Sequence, residues 1–219
     1  MKTALLFDLD GTLADTEALH FEAFVETFAE HGIAVDLAAY QSRIMGFPGH
    51  QIAASFLPHF SKTDSAAIME HKERLYRDRI SHVEPPPGAL DLLAFADAHR
   101  IKYALVTNAP LANAERVLAA MGVRQRFAAV ISGADLPHSK PHPLPYQTAL
   151  EQLGAKAERS VAFEDAGSGV RAAVAAGIPL VGVMSTLDEA RLLGFGAAMA
   201  VRDFTDPRII DLIRIQLGD

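Results

Sequence analysis

Four short segments carry the side chains best suited to chemistry. The first is Asp8-Leu9-Asp10-Gly11-Thr12-Leu13. On an extended chain residues i and i+2 share a side, so Asp8 and Asp10 are expected to project together. Two carboxylates this close repel each other and raise one pKa unless a cation neutralises them. That suits a divalent metal, or one ionised nucleophile beside a protonated acid. The second segment, Thr107-Asn108, offers a hydroxyl, an amide and backbone N–H groups ahead of a helix, a natural cradle for phosphate. The third holds Lys140 within His138-Ser139-Lys140-Pro141-His142, stiffened by prolines at 137, 141, 143 and 145. A lysine on so rigid a loop can be aimed at an anion. The fourth, Glu164-Asp165, is followed by Gly167-Ser168-Gly169. Hard cations take such carboxylates, and Mg²⁺ needs only one or two of them besides water and phosphate oxygens. Taken singly, each segment also fits a plainer role: a solvated turn, an ordinary helix cap, a solvated lysine.

The elements around these segments make the plainer roles less economical. Unbroken apolar runs at Thr3–Phe7, Lys102–Thr107, Ala128–Ser132, Val161–Phe163 and Pro179–Val183 fit strands buried on both faces, with a weaker run at Ala198–Val201. Helical stretches between them stop at Gly122, Gly154, Gly177 and Gly194, where glycine supplies a left-handed C′ residue. Strand, helix, glycine, strand is the cadence of a doubly wound parallel α/β sheet. In such a sheet the carboxyl ends of the strands border one crevice. All four segments fall at strand ends, so their side chains are expected to meet there.

Residues 15–80 break the cadence. Phe21, Phe24 and Phe28 repeat at helical spacing, and Glu22, Glu26 and Glu30 form a charged stripe. Further helices are expected near Asp36–Ile44, Gln51–Phe56 and Thr63–Arg79. The expected organisation is an α/β core of residues 1–14 and 81–219, with an all-helical domain of residues 15–80 inserted after the first strand. The two crossings, near Ala14–Thr16 and His82–Pro87, would form a hinge.

Composition removes several alternatives. The 219 residues carry 20 Lys+Arg against 27 Asp+Glu, a net charge of −7, so nucleic acid is not an expected partner. With no cysteine, disulfide scaffolds, thiolate metal sites and cysteine nucleophiles are excluded. No window reads as a signal peptide or membrane span, and a soluble, cytoplasmic protein is expected. Gly167-Ser168-Gly169-Val170-Arg171-Ala172 matches a dinucleotide fingerprint, but Glu164 and Asp165 would repel a pyrophosphate there. His138 and His142 lack the shared helical face that a histidine metal pair needs.

The four segments, in this order, resemble the motifs of the haloacid dehalogenase-like superfamily of phosphohydrolases. The likeness covers nearly the whole chain, and the helical block resembles that superfamily's small inserted cap on a Rossmann-like core. It implies that Asp8 takes the phosphoryl group and that Asp10 acts as general acid, then base. It implies phosphate contacts from Gly11, Thr12, Thr107, Asn108 and Lys140, with Lys140 also compensating Asp8. Mg²⁺ would lie on Asp8, Asp165 and the backbone carbonyl of Asp10, supported by Glu164. Asp10 at its position favours phosphate esters over haloacids. Within the superfamily, Asp15-Thr16-Glu17 with His20, and Lys72 with Tyr76, resemble the beta-phosphoglucomutase and sugar-phosphatase branch, where the lysine reaches the substrate. The mutases carry a cap arginine where this chain has Gly49, within Gly46-Phe47-Pro48-Gly49-His50; Arg43 and His50 are the available replacements. A guanidinium grips a second phosphate bidentately, so its absence favours a phosphatase over a mutase. The expected substrate is a small phosphorylated metabolite, and the expected assembly a monomer or homodimer. A receiver-type signalling domain also uses Asp, Thr and Lys on a parallel sheet, but is half this size and lacks the helical insertion. A regulatory protein that keeps the fold without turnover is disfavoured, because every residue needed for the chemistry is present.

Overall fold

The computed structural model describes residues 2–45, 47 and 49–218, which divide into two compact units: residues 1–15 with 83–219, and residues 16–82. The first unit is built on a six-stranded, wholly parallel sheet. Its strands are β1 Ala4–Phe7, β2 Lys102–Thr107, β3 Ala129–Ser132, β4 Val161–Glu164, β5 Leu180–Val183 and β6 Met199–Val201, in the order β3-β2-β1-β4-β5-β6. The chain leaves β1 in the middle and winds outward in both directions, the doubly wound α/β arrangement expected from the sequence. Each strand begins or ends within a residue or so of its apolar run.

Both faces of the sheet are covered, which is why the strands show no polar alternation. On one face Leu6, Val106 and Ile131 pack with Tyr146, Ala149 and Leu153 from the helix Leu144–Leu153. On the other, Phe7 stacks on Phe163 at 4.8 Å, and Tyr103, Phe127 and Phe204 close around Phe7. Full burial of each such ring contributes about 2–3 kcal/mol. Gly122, Gly154 and Gly177 take left-handed backbone at helix ends as expected. Gly194 does not: it is the last residue of the helix Glu189–Gly194, and the left-handed turn is made by Gly196 (φ 107°).

The second unit is all helical: Glu17–Ala29, Leu37–Arg43, Gly49–Phe56 and Lys62–Arg79. Asp36 and Ser61 cap two of these helices by accepting backbone N–H groups. Phe24, Phe28, Tyr40, Ile52, Phe56 and Ile68 form its core. The glutamate stripe is not simply solvated. Arg79 pairs with Glu22 and Glu26, and His71 contacts Glu30, so the stripe ties the first helix of this unit to its last.

Candidate active site

The winding order decides which side chains meet. β1 lies between β2 and β4, with Phe7 in register with Leu105 on one side and Phe163 on the other. Asp8 leaves the end of β1, its N–H donating to Phe163 O at 3.0 Å. Thr107 ends β2, and Glu164 ends β4, directly before Asp165. The loop after β3 brings Lys140 back under these ends.

Lys140 is the hub. Its ammonium donates to Asp8 Oδ1 at 2.6 Å, to Val106 O at 2.6 Å and to Glu164 Oε1 at 2.5 Å. An ammonium has three donors, and three acceptors surround it. Holding a phosphate as well would require exchanging one of these bonds. Aiming and compensating Asp8 is the part of the expected role that this arrangement performs unaided. Lys140 is 5% exposed and Glu164 1%, so the ion pairs are shielded from solvent.

Three buried carboxylates nevertheless face one lysine. Asp8, Glu164 and Asp165 have side-chain oxygens within 4.8 Å of one another. If all ionise, two negative charges stay uncompensated in a buried pocket. Burial raises the Asp8 carboxyl above its ordinary range, against the pull of Lys140. Burial, with Asp8 nearby, pushes Glu164 up to about 8 and Asp165 up to about 7. Lys140 is raised as well: burial works against its charge, but its acidic neighbours outweigh burial and keep it firmly protonated. An all-oxygen set with this excess of charge fits a hard divalent cation.

Asp165 is held by hydroxyls. Thr12 Oγ1 donates to its Oδ1 at 3.3 Å, and Ser185 Oγ to its Oδ2 at 3.2 Å, where Thr186 Oγ1 also donates. Ser185 Oγ also lies within hydrogen-bond distance of Gly11 O, so its one proton is shared between Asp165 and the first motif's turn. Ser185 and Thr186 follow β5, and the rule that picked out the other strand ends would have found them. Thr12 therefore faces Asp165. Gly11, at φ 79°, is required twice, because a Cβ there would fall 2.3 Å from Asp165 Oδ2. Asp10 is half-buried at the same turn, and its charge adds to the pressure on Asp8.

Two expected phosphate contacts have other duties. Thr107 Oγ1 accepts Ala109 N–H at 3.0 Å. Asn108 binds the Lys140 backbone, Nδ2 donating to Lys140 O at 3.1 Å and Oδ1 accepting Lys140 N–H at 3.0 Å. Both ends of the Asn108 amide thus face the lysine loop. Gly133 makes room for it, since a Cβ there would lie 2.6 Å from Asn108 Oδ1. The glycines of the dinucleotide look-alike also serve packing. A Cβ on Gly169 would fall 1.9 Å from Glu164 Oε2, and one on Gly167 2.7 Å from the Phe195 ring. His138 and His142 are exposed and stack on each other at 4.6 Å.

In the helical unit, Lys72 lies only 2% exposed. Its ammonium contacts His20 Nδ1 at 2.9 Å and Glu73 Oε1 at 3.1 Å, and sits 4.3 Å from the Phe24 ring centroid. His20 stacks on Tyr76 at 3.8 Å. Lysine can only donate, so His20 Nδ1 accepts. The lysine expected to reach a substrate thus contacts His20 and Glu73 of its own unit. Gly46 and Pro48 of the departing segment lie outside the described residues. Arg43, one replacement for the missing arginine, donates to Ser55 O at 3.0 Å and lies over the Phe56 ring.

A sequence description of the haloacid dehalogenase-like hydrolases matches residues 5–183. The chain belongs to this family. The chain is 32% identical over 204 residues to a phosphorylated carbohydrates phosphatase of Thermotoga maritima, covering 90% of this chain and 93% of that one. It is 33% identical over 181 residues to the fructose-1-phosphate phosphatase YqaB of Escherichia coli, covering 82% and 95%. Among solved structures, CbbY from Rhodobacter sphaeroides in complex with phosphate superposes with a TM-score of 0.84 at 32% identity, covering 94% of this chain and 96% of that one. The haloacid dehalogenase-like hydrolases therefore account for the fold, the order of the four motifs and the chain's standing as an enzyme.

Proposed function

We propose that this hydrolase is a Mg²⁺-dependent phosphatase of a small phosphorylated metabolite, a sugar phosphate or similar phosphomonoester, working through an aspartyl phosphate on Asp8. The observation that carries the reading is the 2.6 Å contact between the Lys140 ammonium and Asp8 Oδ1, inside a ring of acids too negative to stand alone. The named activities of the phosphatase relatives support it.

Asp8, Asp165 and the Asp10 backbone carbonyl would hold the metal, with Glu164 behind them. Bound there, Mg²⁺ would neutralise charge on the phosphoryl oxygens. The chain's own residues do the rest. Lys140 opposes the effect of burial on Asp8 and fixes one of its oxygens, leaving the ionised carboxylate to attack phosphorus. The new Asp8 O–P bond forms as the ester P–O bond breaks, and Asp10 delivers its proton to the departing alkoxide. Asp10 then takes a proton from water, whose oxygen attacks phosphorus and releases phosphate and free Asp8. Thr107 and the N–H groups after β2 would contact the phosphoryl group. The inserted helical unit would act as a cap, with His20 and Lys72 belonging to it.

Water is proposed as final acceptor rather than a second sugar phosphate. Gly49 offers no guanidinium, and Arg43 is engaged by Ser55. The test is phosphate release from a panel of phosphomonoesters with and without Mg²⁺. Metal-dependent release that vanishes in Asp8→Asn supports the reading. Bisphosphate-primed interconversion of hexose 1- and 6-phosphates would replace it with the mutase.

A further inference from the structure

We propose that Tyr146 is a positioning residue for the phosphoryl-transfer site, acting through Glu164 on Lys140 and Asp8; the proposal rests on the phosphatase reading above. Tyr146 sits in the first turn of the helix Leu144–Leu153, fully buried beneath β1, β2 and β3. Its neighbours on that face are aliphatic, and a phenylalanine would pack equally well there. The hydroxyl is therefore the feature that needs a reason, since a buried hydroxyl is costly unless bonded.

Its partner is informative. Tyr146 Oη donates to Glu164 Oε1 at 2.6 Å, the same oxygen that accepts from Lys140 Nζ. The Lys140 ammonium also lies 5.4 Å from the Tyr146 ring centroid. Glu164 is confined on its other side, where Oε2 abuts Gly169. A carboxylate fixed by a phenol on one oxygen and a glycine cradle on the other has one place to stand. From there it holds the third donor of Lys140, while Val106 O takes another and Asp8 the remaining one. The chain Tyr146–Glu164–Lys140–Asp8 transmits the position of this helix to the oxygen of the attacking carboxylate. Without the phenol, Glu164 Oε1 is restrained by Lys140 alone, and Lys140 can follow its partner away from Asp8. Such outer partners commonly affect rate by an order of magnitude or more.

The experiment compares wild type, Tyr146→Phe, Glu164→Gln and the double variant on a phosphomonoester that the wild type hydrolyses. Tyr146→Phe is expected to lower kcat about tenfold with KM within about twofold, because the loss concerns chemistry and not substrate contact. In the Glu164→Gln background the same change should cost less than about twofold, since the path has already been cut. A kcat for Tyr146→Phe within twofold of wild type would overturn the proposal. So would an undiminished tenfold loss in the Glu164→Gln background. A second measurement needs neither turnover nor a folded Tyr146→Phe protein. In the unmutated chain carrying ¹³C-labelled tyrosine, the Tyr146 hydroxyl proton should exchange slowly and shift when Glu164→Gln is introduced. A freely exchanging hydroxyl overturns the proposal. A chain that hydrolyses none of the esters would sink the phosphatase reading instead, leaving the hydroxyl measurement to decide the Tyr146 contact.

Discussion

The side-chain amide of Asn108 grips the peptide backbone of Lys140, donating to its carbonyl at 3.1 Å and accepting its N–H at 3.0 Å. Residues 32 positions apart are locked together in this way, and the lysine loop is fixed at its centre. Asn108→Ala removes both bonds and leaves two backbone groups to find water. The expected cost is about 1–3 kcal/mol in stability. A drop in kcat of about tenfold should accompany it, as Lys140 loses its aim at Asp8. Thermal unfolding and steady-state kinetics check both. A rise in KM at unchanged kcat would instead return Asn108 to the substrate.

The acids of the site give the metal-free protein an unusual pH response. Asp165 rises from 3.8 to about 7 and Glu164 from 4.5 to about 8. Both are raised, so the folded state holds protons that the unfolded chain releases at lower pH. Their contribution to stability is fully present below about pH 4 and is lost as pH climbs through about 7 and then about 8. With EDTA present, the melting temperature should therefore fall between pH 5.5 and 8.5, by on the order of 5 °C. Saturating Mg²⁺ should raise it more at pH 8 than at pH 6, because binding competes with those protons. An equal Mg²⁺ effect at both pH values would contradict the charge excess inferred for the site.

Asp8→Asn and Asp10→Asn separate the two aspartates. Asparagine at position 8 cannot form the acyl phosphate, so turnover should disappear. It also removes one of the crowded charges while keeping an acceptor for Lys140, so the metal-free melting temperature should not drop. Asp10→Asn keeps the nucleophile and should slow turnover by about 10²–10⁴-fold, the usual share of general acid–base catalysis. Phosphate-release assays and thermal unfolding in EDTA provide the readouts. Near-full activity in Asp10→Asn would refute the proton-transfer role.

The strand ends and their acids were legible because buried parallel strands announce themselves as apolar runs, and whatever polar group follows them must face the crevice. Position along one strand is a local property; partnership is not. Asn108 carried the right chemistry for a phosphate cradle, and nothing near it in sequence says that its amide binds residue 140 instead. Tyr146 carries no local sign of its partner, since a hydroxyl pointing inward leaves the helical periodicity unchanged. The Gly167–Gly169 pair imitated a nucleotide fingerprint for a reason that only packing reveals: the helix must pass close to Glu164 and Phe195. Lys72, at a helical position facing inward, is likewise held by His20 and Glu73, partners from two places in the chain.

Gly169 provides the sharpest steric test of the site. It sits in the helix Gly167–Ala175, where alanine is intrinsically favoured over glycine by about 1 kcal/mol. A Cβ at this position, however, would meet all three atoms of the Glu164 carboxyl group at 1.9–2.1 Å. Glu164 would have to leave Gly169 and with it Lys140 and Tyr146, so Gly169→Ala should lower both stability and kcat despite the better helix propensity. Gly194→Ala is the control. Gly194 is also helical, has no heavy atom within 4 Å of a built Cβ, and should gain up to about 1 kcal/mol. The two glycine-to-alanine changes are thus expected to move thermal stability in opposite directions, with only the first reducing turnover. If Gly169→Ala matched the control in both readouts, the close packing of Glu164 against this helix would not be what holds the lysine in place.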